Sequence, residues 1–403
     1  MTSQILDVTG RFRSSMKRDT RFSVTGRFVL VSVFGLMALV SAASATVPDA
    51  PTGLSATAGN GQVILGWTAV SGATSYNVYR SKTLGQQGSE IGARQPSASY
   101  TDTGLMNGTT YYYEVTAANA SGESIATSQV KSTPFADLAL VTVPGGTFQY
   151  DWTSGDLVTV STFRMSANLI TGDLYAAVTG LGDPSYFDES HNPVEQVSWY
   201  GALVFCNKLS MLEGKTPVYT IKGSTDPSTW GDIPTSKDAT WDAVTANWSA
   251  DGYRLPTGME YVWAAMGGLG DSCPGDIVDG KNTKGFLKGY AGSKEPNGEQ
   301  KNVGSYTWNF GNSQKTTHAV GTKLPNELGI YDLSGNLYEW CWDWSGIYPG
   351  GAKNDPRGPS SDTGTGRSRR GFGYNVSGGS VSNGNSSDPS YQDSSIGFRV
   401  VSP

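Results

Sequence analysis

The sequence predicts a multidomain chain in which an export leader precedes an all-β sandwich and a larger, loop-rich domain carrying two helices. Three observations predict it. A continuous apolar run, Phe28–Val40, lies between basic residues and a stretch of small ones. Short alternating segments bounded by turn residues then fill about 90 residues, the size of a single β-sandwich. Beyond them, two segments with helical periodicity stand among long Gly/Ser/Asn stretches.

The leader is read from residues 1–45. Lys17, Arg18, Arg21 and Arg27 precede the apolar run, and Ala43-Ser44-Ala45 follows it as an A-x-A cleavage pattern. The run is shorter than the roughly 20 apolar residues a bilayer span needs. A cleaved signal peptide is expected, with Met16 as its start. With no cysteine near the cleavage site, no lipid anchor is expected either. The mature chain is placed in the periplasm, at the cell surface or outside the cell, with no stable membrane anchor after cleavage.

Net charge is −6, and the leader holds six basic and two acidic residues, so the remainder carries −10. That excludes the basic footprint of a nucleic-acid binder. Arg367, Arg369 and Arg370 are read as a solvated strand flank. Three cysteines, Cys206, Cys273 and Cys341, make no disulfide framework, and two histidines cannot complete a closed zinc site.

Residues 46–134 form the sandwich. Val63–Trp67, Tyr76–Tyr79 and Tyr111–Val115 are strand candidates, and Asn119–Gly122 is a turn. Pro48, Pro51, Leu54, Trp67, Tyr76-x-Val78-Tyr79 and Leu105-x-Asn107-Gly108-Thr109-x-Tyr111 occur in an order that resembles a fibronectin type III module. The resemblance implies that Tyr111 is a tyrosine corner, its hydroxyl bonded to backbone. The module offers no acid, base or nucleophile constellation and is read as a spacer. Lys131–Pro134 is expected to be the linker to residues 135–403.

In that second domain Leu140–Phe148 reads as a strand turning at Pro144-Gly145-Gly146. The first helix follows Ser198 as N-cap. Trp199, Ala202, Cys206 and Leu209 repeat at helical spacing and Gly214 stops it, which puts Cys206 on the apolar face as a buried thiol. The second opens with the Thr257-x-x-Glu260 capping box and ends at Gly267-Gly268.

Six blocks in order, including Asn192–Trp199, Gly252–Thr257, Pro325–Asp332, Gly335–Trp340 and Ile396–Val400, resemble the formylglycine-generating (sulfatase-modifying factor) family. The resemblance implies an α+β, C-type-lectin-like fold with little regular structure. It also implies an oxidase that makes formylglycine on sulfatases, using two cysteines on copper(I), a soft ion that prefers thiolates. Here those two positions fall on Val376 and Val381, and no cysteine lies beyond Cys341. Copper and catalysis are therefore not expected, and the formylglycine-generating oxidoreductase is kept as the alternative function. Iron-dependent relatives need clustered histidines, which this chain lacks.

The family's calcium loop maps onto Asp332, Gly335, Leu337 and Glu339, two carboxylates and two carbonyls. That donor chemistry suits a structural Ca2+, and pairing of the acids with Arg399 is the competing reading. A Cys206–Cys341 bridge stays open. The tail 372–395 departs most from the family and is dense in Asn, Ser, Gly and Tyr, the composition of adaptable binding surfaces. Non-catalytic relatives of this fold include variable proteins of diversity-generating retroelements, which bind ligands through this segment. Phe372, Tyr374, Asn375, Asn383 and Tyr391 are the candidate contacts to a protein or glycan ligand. An ordinary polar loop set is the competing reading.

Overall fold

The computed structural model describes residues 46–135, 138–150, 156–187, 189, 191–295, 298–348 and 353–403. Residues 1–45, where a signal peptide is expected, lie outside them. Among the described residues no helix is long and apolar enough to cross a membrane.

Eight strands build the sandwich: β1 (Thr52–Gly59), β2 (Gln62–Thr68), β3 (Ser75–Ser81), β4 (Ser89–Gln95), β5 (Ser99–Thr103), β6 (Tyr111–Asn119), β7 (Gly122–Glu123) and β8 (Val130–Ser132). One sheet runs β1-β2-β5 and the other β4-β3-β6-β7, with β8 also paired to β6. Alternation drives this assembly. Val63, Leu65 and Trp67 point inward from β2, and Tyr111, Tyr113, Val115 and Ala117 from β6. Lys131 and Ser132, expected in the linker, instead belong to a strand in register with Tyr112 and Tyr111. There they cover an edge of β6 that would otherwise present unpaired amides.

Tyr111 is buried, and its hydroxyl accepts from the Met106 backbone N–H at 3.1 Å. Tyr111→Phe keeps the ring and strands that amide. A loss of about 1–2 kcal/mol is expected in urea unfolding; an unchanged midpoint would show that water satisfies the amide.

In the second domain β9 (Leu140–Val143) and β10 (Gly146–Gln149) flank the Pro-Gly-Gly turn, followed by β11 (Leu157–Val160) and β12 (Phe163–Ser166). Gly146 is required: a Cβ there would run into the Trp263 indole, which donates to Pro144 O at 2.8 Å and stacks on Phe148. Helix α1 (Gly172–Thr179), which the sequence reading does not contain, is capped by Thr171 and stopped by Gly180 in the left-handed region. Helix α2 (Trp199–Leu212) starts at the expected Ser198 cap and buries Cys206. Helix α3 (Gly258–Met266) shows the expected reciprocal Thr257–Glu260 box, and Gly267 at φ 88° ends it.

Four strands complete the frame: β13 (Tyr338–Trp344), β14 (Arg367–Arg370), β15 (Gly384–Ser387) and β16 (Ile396–Gly397), in sheet order β15-β14-β13-β16. A last strand, β17 (Val401–Ser402), joins β12 and β9. Two apolar clusters form the core. One gathers α1 and α2 residues with Trp340 and Phe398; the other gathers α3 with β10–β12. Helix is scarce and connections are long, as expected. Phe135 is buried in the first cluster, against which Ala58 of the sandwich also packs, and the Phe135 N–H donates to Gly59 O at 3.2 Å.

Candidate functional site

Strand β14 has two faces. Arg367 and Arg369 point to one side, Ser368 and Arg370 to the other. Arg367 is buried, not solvated as the sequence suggested. Its guanidinium lies 3.7 Å from the Trp199 ring centroid and 3.5 Å from that of Trp344, and donates to Trp342 O at 2.8 Å. Indole faces substitute for water around the cation. Burial still pushes its pKa down, to about 9. Arg369 lies over the Tyr338 ring.

The opposite face opens into a cavity of about 330 Å³, lined by Trp344, Tyr348, Ser368, Arg370, Asn385 and Ser386 among others. The Arg370 guanidinium donates from Nη1 to Ser382 O at 2.6 Å, and its buried Nε has no hydrogen-bond partner. Behind this wall Asp343 is buried. It accepts from the Gly258 N–H in the first turn of α3 and from the Tyr348 hydroxyl at 2.8 Å. A carboxylate there complements the helix dipole. Burial nevertheless raises Asp343 to about 6, against the pull of those donors and of Arg370.

The five candidate contacts separate. Phe372 and Tyr374 are buried, which corrects their assignment to a binding surface. Tyr374 packs edge-on against Phe187 at 5.6 Å, and its hydroxyl shares a bond with Ser394. Its backbone is held by Asn336 and Ser313. These aromatics anchor the tail. Asn375, Asn383 and Tyr391 are exposed. Val376 is half-buried, and Val381 is sealed in the α3 core cluster.

The four loop residues do not assemble as a cation shell. Glu339 is spent on Arg399: Nε to Oε2 at 2.5 Å and Nη2 to Oε1 at 3.0 Å, with the Tyr261 hydroxyl also on Oε1. Both partners are fully buried. Glu339 is therefore corrected from ligand to ion-pair partner, because a bidentate guanidinium occupies both its oxygens. Asp332 gives one oxygen to the Gly321 N–H at 2.8 Å and keeps a buried Oδ1 without a partner. Gly335 and Leu337 shape the turn between them. With Glu339 engaged, the loop is left with one free carboxylate oxygen beside the Gly335 and Leu337 carbonyls, fewer than the roughly six or more oxygens Ca2+ takes. Among the described residues no three His, Cys, Asp or Glu side chains group as metal donors.

Cys206, Cys273 and Cys341 are free and buried, with no bridge between Cys206 and Cys341. Burial pushes all three thiols up, Cys273 to about 11. They stand in separate surroundings. Cys206 lies near Tyr219, Cys273 near Asp276 and Cys341 near Asp343. Such thiols are neutral at pH 7 and do not resemble a copper-binding pair.

Sequence reasoning missed Arg370, Trp344 and Tyr348 as a cavity wall, since only the β13–β14 pairing brings them together. It also missed Glu195, which is fully buried. Glu195 Oε1 accepts from the Phe187 N–H at 2.7 Å, Oε2 has no partner, and burial raises the group to about 7. An acid inside Pro193-Val194-Glu195-Gln196-Val197 was the available signal.

Residues 126–403 match the sulfatase-modifying factor enzyme 1-like domain, and residues 49–133 match the fibronectin type III domain. "Chaperone protein LppX" of Paenibacillus barcinonensis is 38% identical over 218 residues, 51% of this chain and 71% of that protein. A formylglycine-generating enzyme of Thermomonospora curvata is 33% identical over 141 residues, 32% of this chain and 41% of the enzyme. Among solved structures, Treponema denticola variable protein 1 superposes with a TM-score of 0.56 at 30% identity, covering 66% of this chain and 96% of that one.

Proposed function

The chain belongs to the sulfatase-modifying factor enzyme 1-like domain family, and from that premise we propose that it is an exported, non-catalytic member that recognises a protein or glycan through its C-terminal loops. The observation that carries this reading is the pair Val376 and Val381. Hydrocarbon stands where the family's copper thiolates would stand, and Val381 is buried in the core cluster that α3 helps to build. Nothing in a valine side chain ligates a metal. The tail keeps exposed polar residues beside a fixed sheet, Asn375, Asn383 and Tyr391 among them. Likeness to a variable protein over 66% of the chain supports the same use of the fold.

The test has two arms. On glycan and extracellular-protein arrays, wild type is expected to capture a ligand that an Asn375→Ala, Asn383→Ala, Tyr391→Ala triple variant binds at least tenfold more weakly. Incubation with copper(I), oxygen and a C-x-P-x-R peptide is expected to give no aldehyde. Aldehyde formation would instead support the formylglycine-generating oxidoreductase. Capture unaffected by the triple variant would remove the loops from recognition.

A second reading is favoured by the 38% identity to a protein named as a chaperone. The same surface would then hold an exported client during folding. Suppression of aggregation of an unfolded client, lost in the triple variant, separates this from capture of a folded ligand.

A further inference from the structure

We infer that the cavity between β14–β15 and the loop after β13 is a binding site for a small hydroxylated carboxylate, of the uronate-sugar class. This rests on the recognition reading and names the ligand chemistry.

The cavity, about 330 Å³, is at the small end of ligand sites, which run from roughly 300 to 1,000 Å³. It takes one sugar-sized ring and no folded loop. Its single basic wall group is Arg370. That guanidinium makes one bond, to Ser382 O, and forms no ion pair within 4.0 Å among the described residues. Asp343, which feels the Arg370 charge, is occupied by the α3 amide and the Tyr348 hydroxyl. Nε is closed off from the cavity, so what Arg370 offers a carboxylate is the end of its guanidinium, Nη2 with the second hydrogen of Nη1.

The other lining groups define the rest of the ligand. The lining is mostly polar: Ser368, Asn385 and Ser386 offer hydroxyl and amide partners, and the largely buried Trp344 and Tyr348 contribute little of the surface a ligand would touch. Trp344 is held in place by Arg367 stacked 3.5 Å from its ring centroid, and Tyr348 by its bond to Asp343. The walls are thus fixed before a ligand arrives, which lowers the ordering cost of binding. A bare anion would leave the hydroxyl partners unused, and a neutral sugar would leave Arg370 unpaired.

Calorimetric titration of the exported chain tests this with galacturonate, galactose, acetate and trigalacturonate as probes. Galacturonate is expected to bind, and galactose and acetate at least tenfold more weakly. Trigalacturonate binding as tightly assigns the source to a polymer end; failure of trigalacturonate alone assigns it to the free sugar. Arg370→Gln is expected to weaken galacturonate at least tenfold, and Arg369→Gln, on the opposite face, to leave it unchanged. Ser386→Tyr, a rim change that fills the cavity, is expected to abolish binding at an unchanged melting temperature, so the result survives any instability of the Arg370 variant. No binding of galacturonate, equal binding of galactose, or binding indifferent to both variants would overturn the site. An array ligand that depends on Asn375, Asn383 and Tyr391 would stand even then, so the two readings fail separately.

Discussion

Arg399→Met is expected to destabilise the protein by about 3–5 kcal/mol, because it leaves the Glu339 carboxylate buried without its countercharge. Burial alone pushes Glu339 upward, and Arg399 is what opposes it. Asp332 lies in the same field and worsens the loss. Arg399 also donates to Ser166 O and Tyr331 O, so the guanidinium ties β12 and the Asp332 turn to β13. Urea unfolding measures the effect as a lower midpoint. The double variant Glu339→Leu, Arg399→Met is expected to recover part of it: the unpaired charge is gone, but two carbonyls stay unsatisfied. A single-variant loss below about 1 kcal/mol would mean that water reaches Glu339.

Glu195→Gln is expected to stabilise the protein at pH 8 and to change little at pH 4. Glu195 titrates near 7 when folded and near 4.5 in its ordinary state. Burial is the main cause, with Asp183 and Asp393 adding to it. Between those values the folded chain holds the extra proton, so stability falls as pH rises through the window. The full shift corresponds to about 3 kcal/mol lost by pH 8. Glutamine keeps an acceptor for the Phe187 N–H and carries no charge. Melting curves of the two proteins from pH 4 to 8 should diverge upward through that window. Parallel curves would show that Oε2 is solvated.

Local rules made much of the frame legible. Ser198, Thr257 with Glu260, and Gly267 announce helix ends because capping is chemistry between residues a few positions apart. Tyr111 was legible through the resemblance of its module to fibronectin type III. Helix α1 carried similar signals in Thr171 and Gly180, but lacked the acid that completes a capping box. The site was less legible. Phe372 and Tyr374 look like contact aromatics by composition, yet composition does not say which side of an irregular segment faces inward. Arg367 reads as exposed because its partners, Trp199 and Trp344, lie far away in sequence. Glu339 has the right spacing for a cation loop, and only the fold shows Arg399 taking both its oxygens.

The contact at Phe135 has a mechanical consequence. Its ring sits in the C-terminal core while its amide is fastened to the end of β1, and Ala58 packs against the same cluster. The β-module is thereby a bracket rather than a tether. A pull on the chain at residue 46 is carried across that seam into the C-terminal core and not taken up by a slack linker.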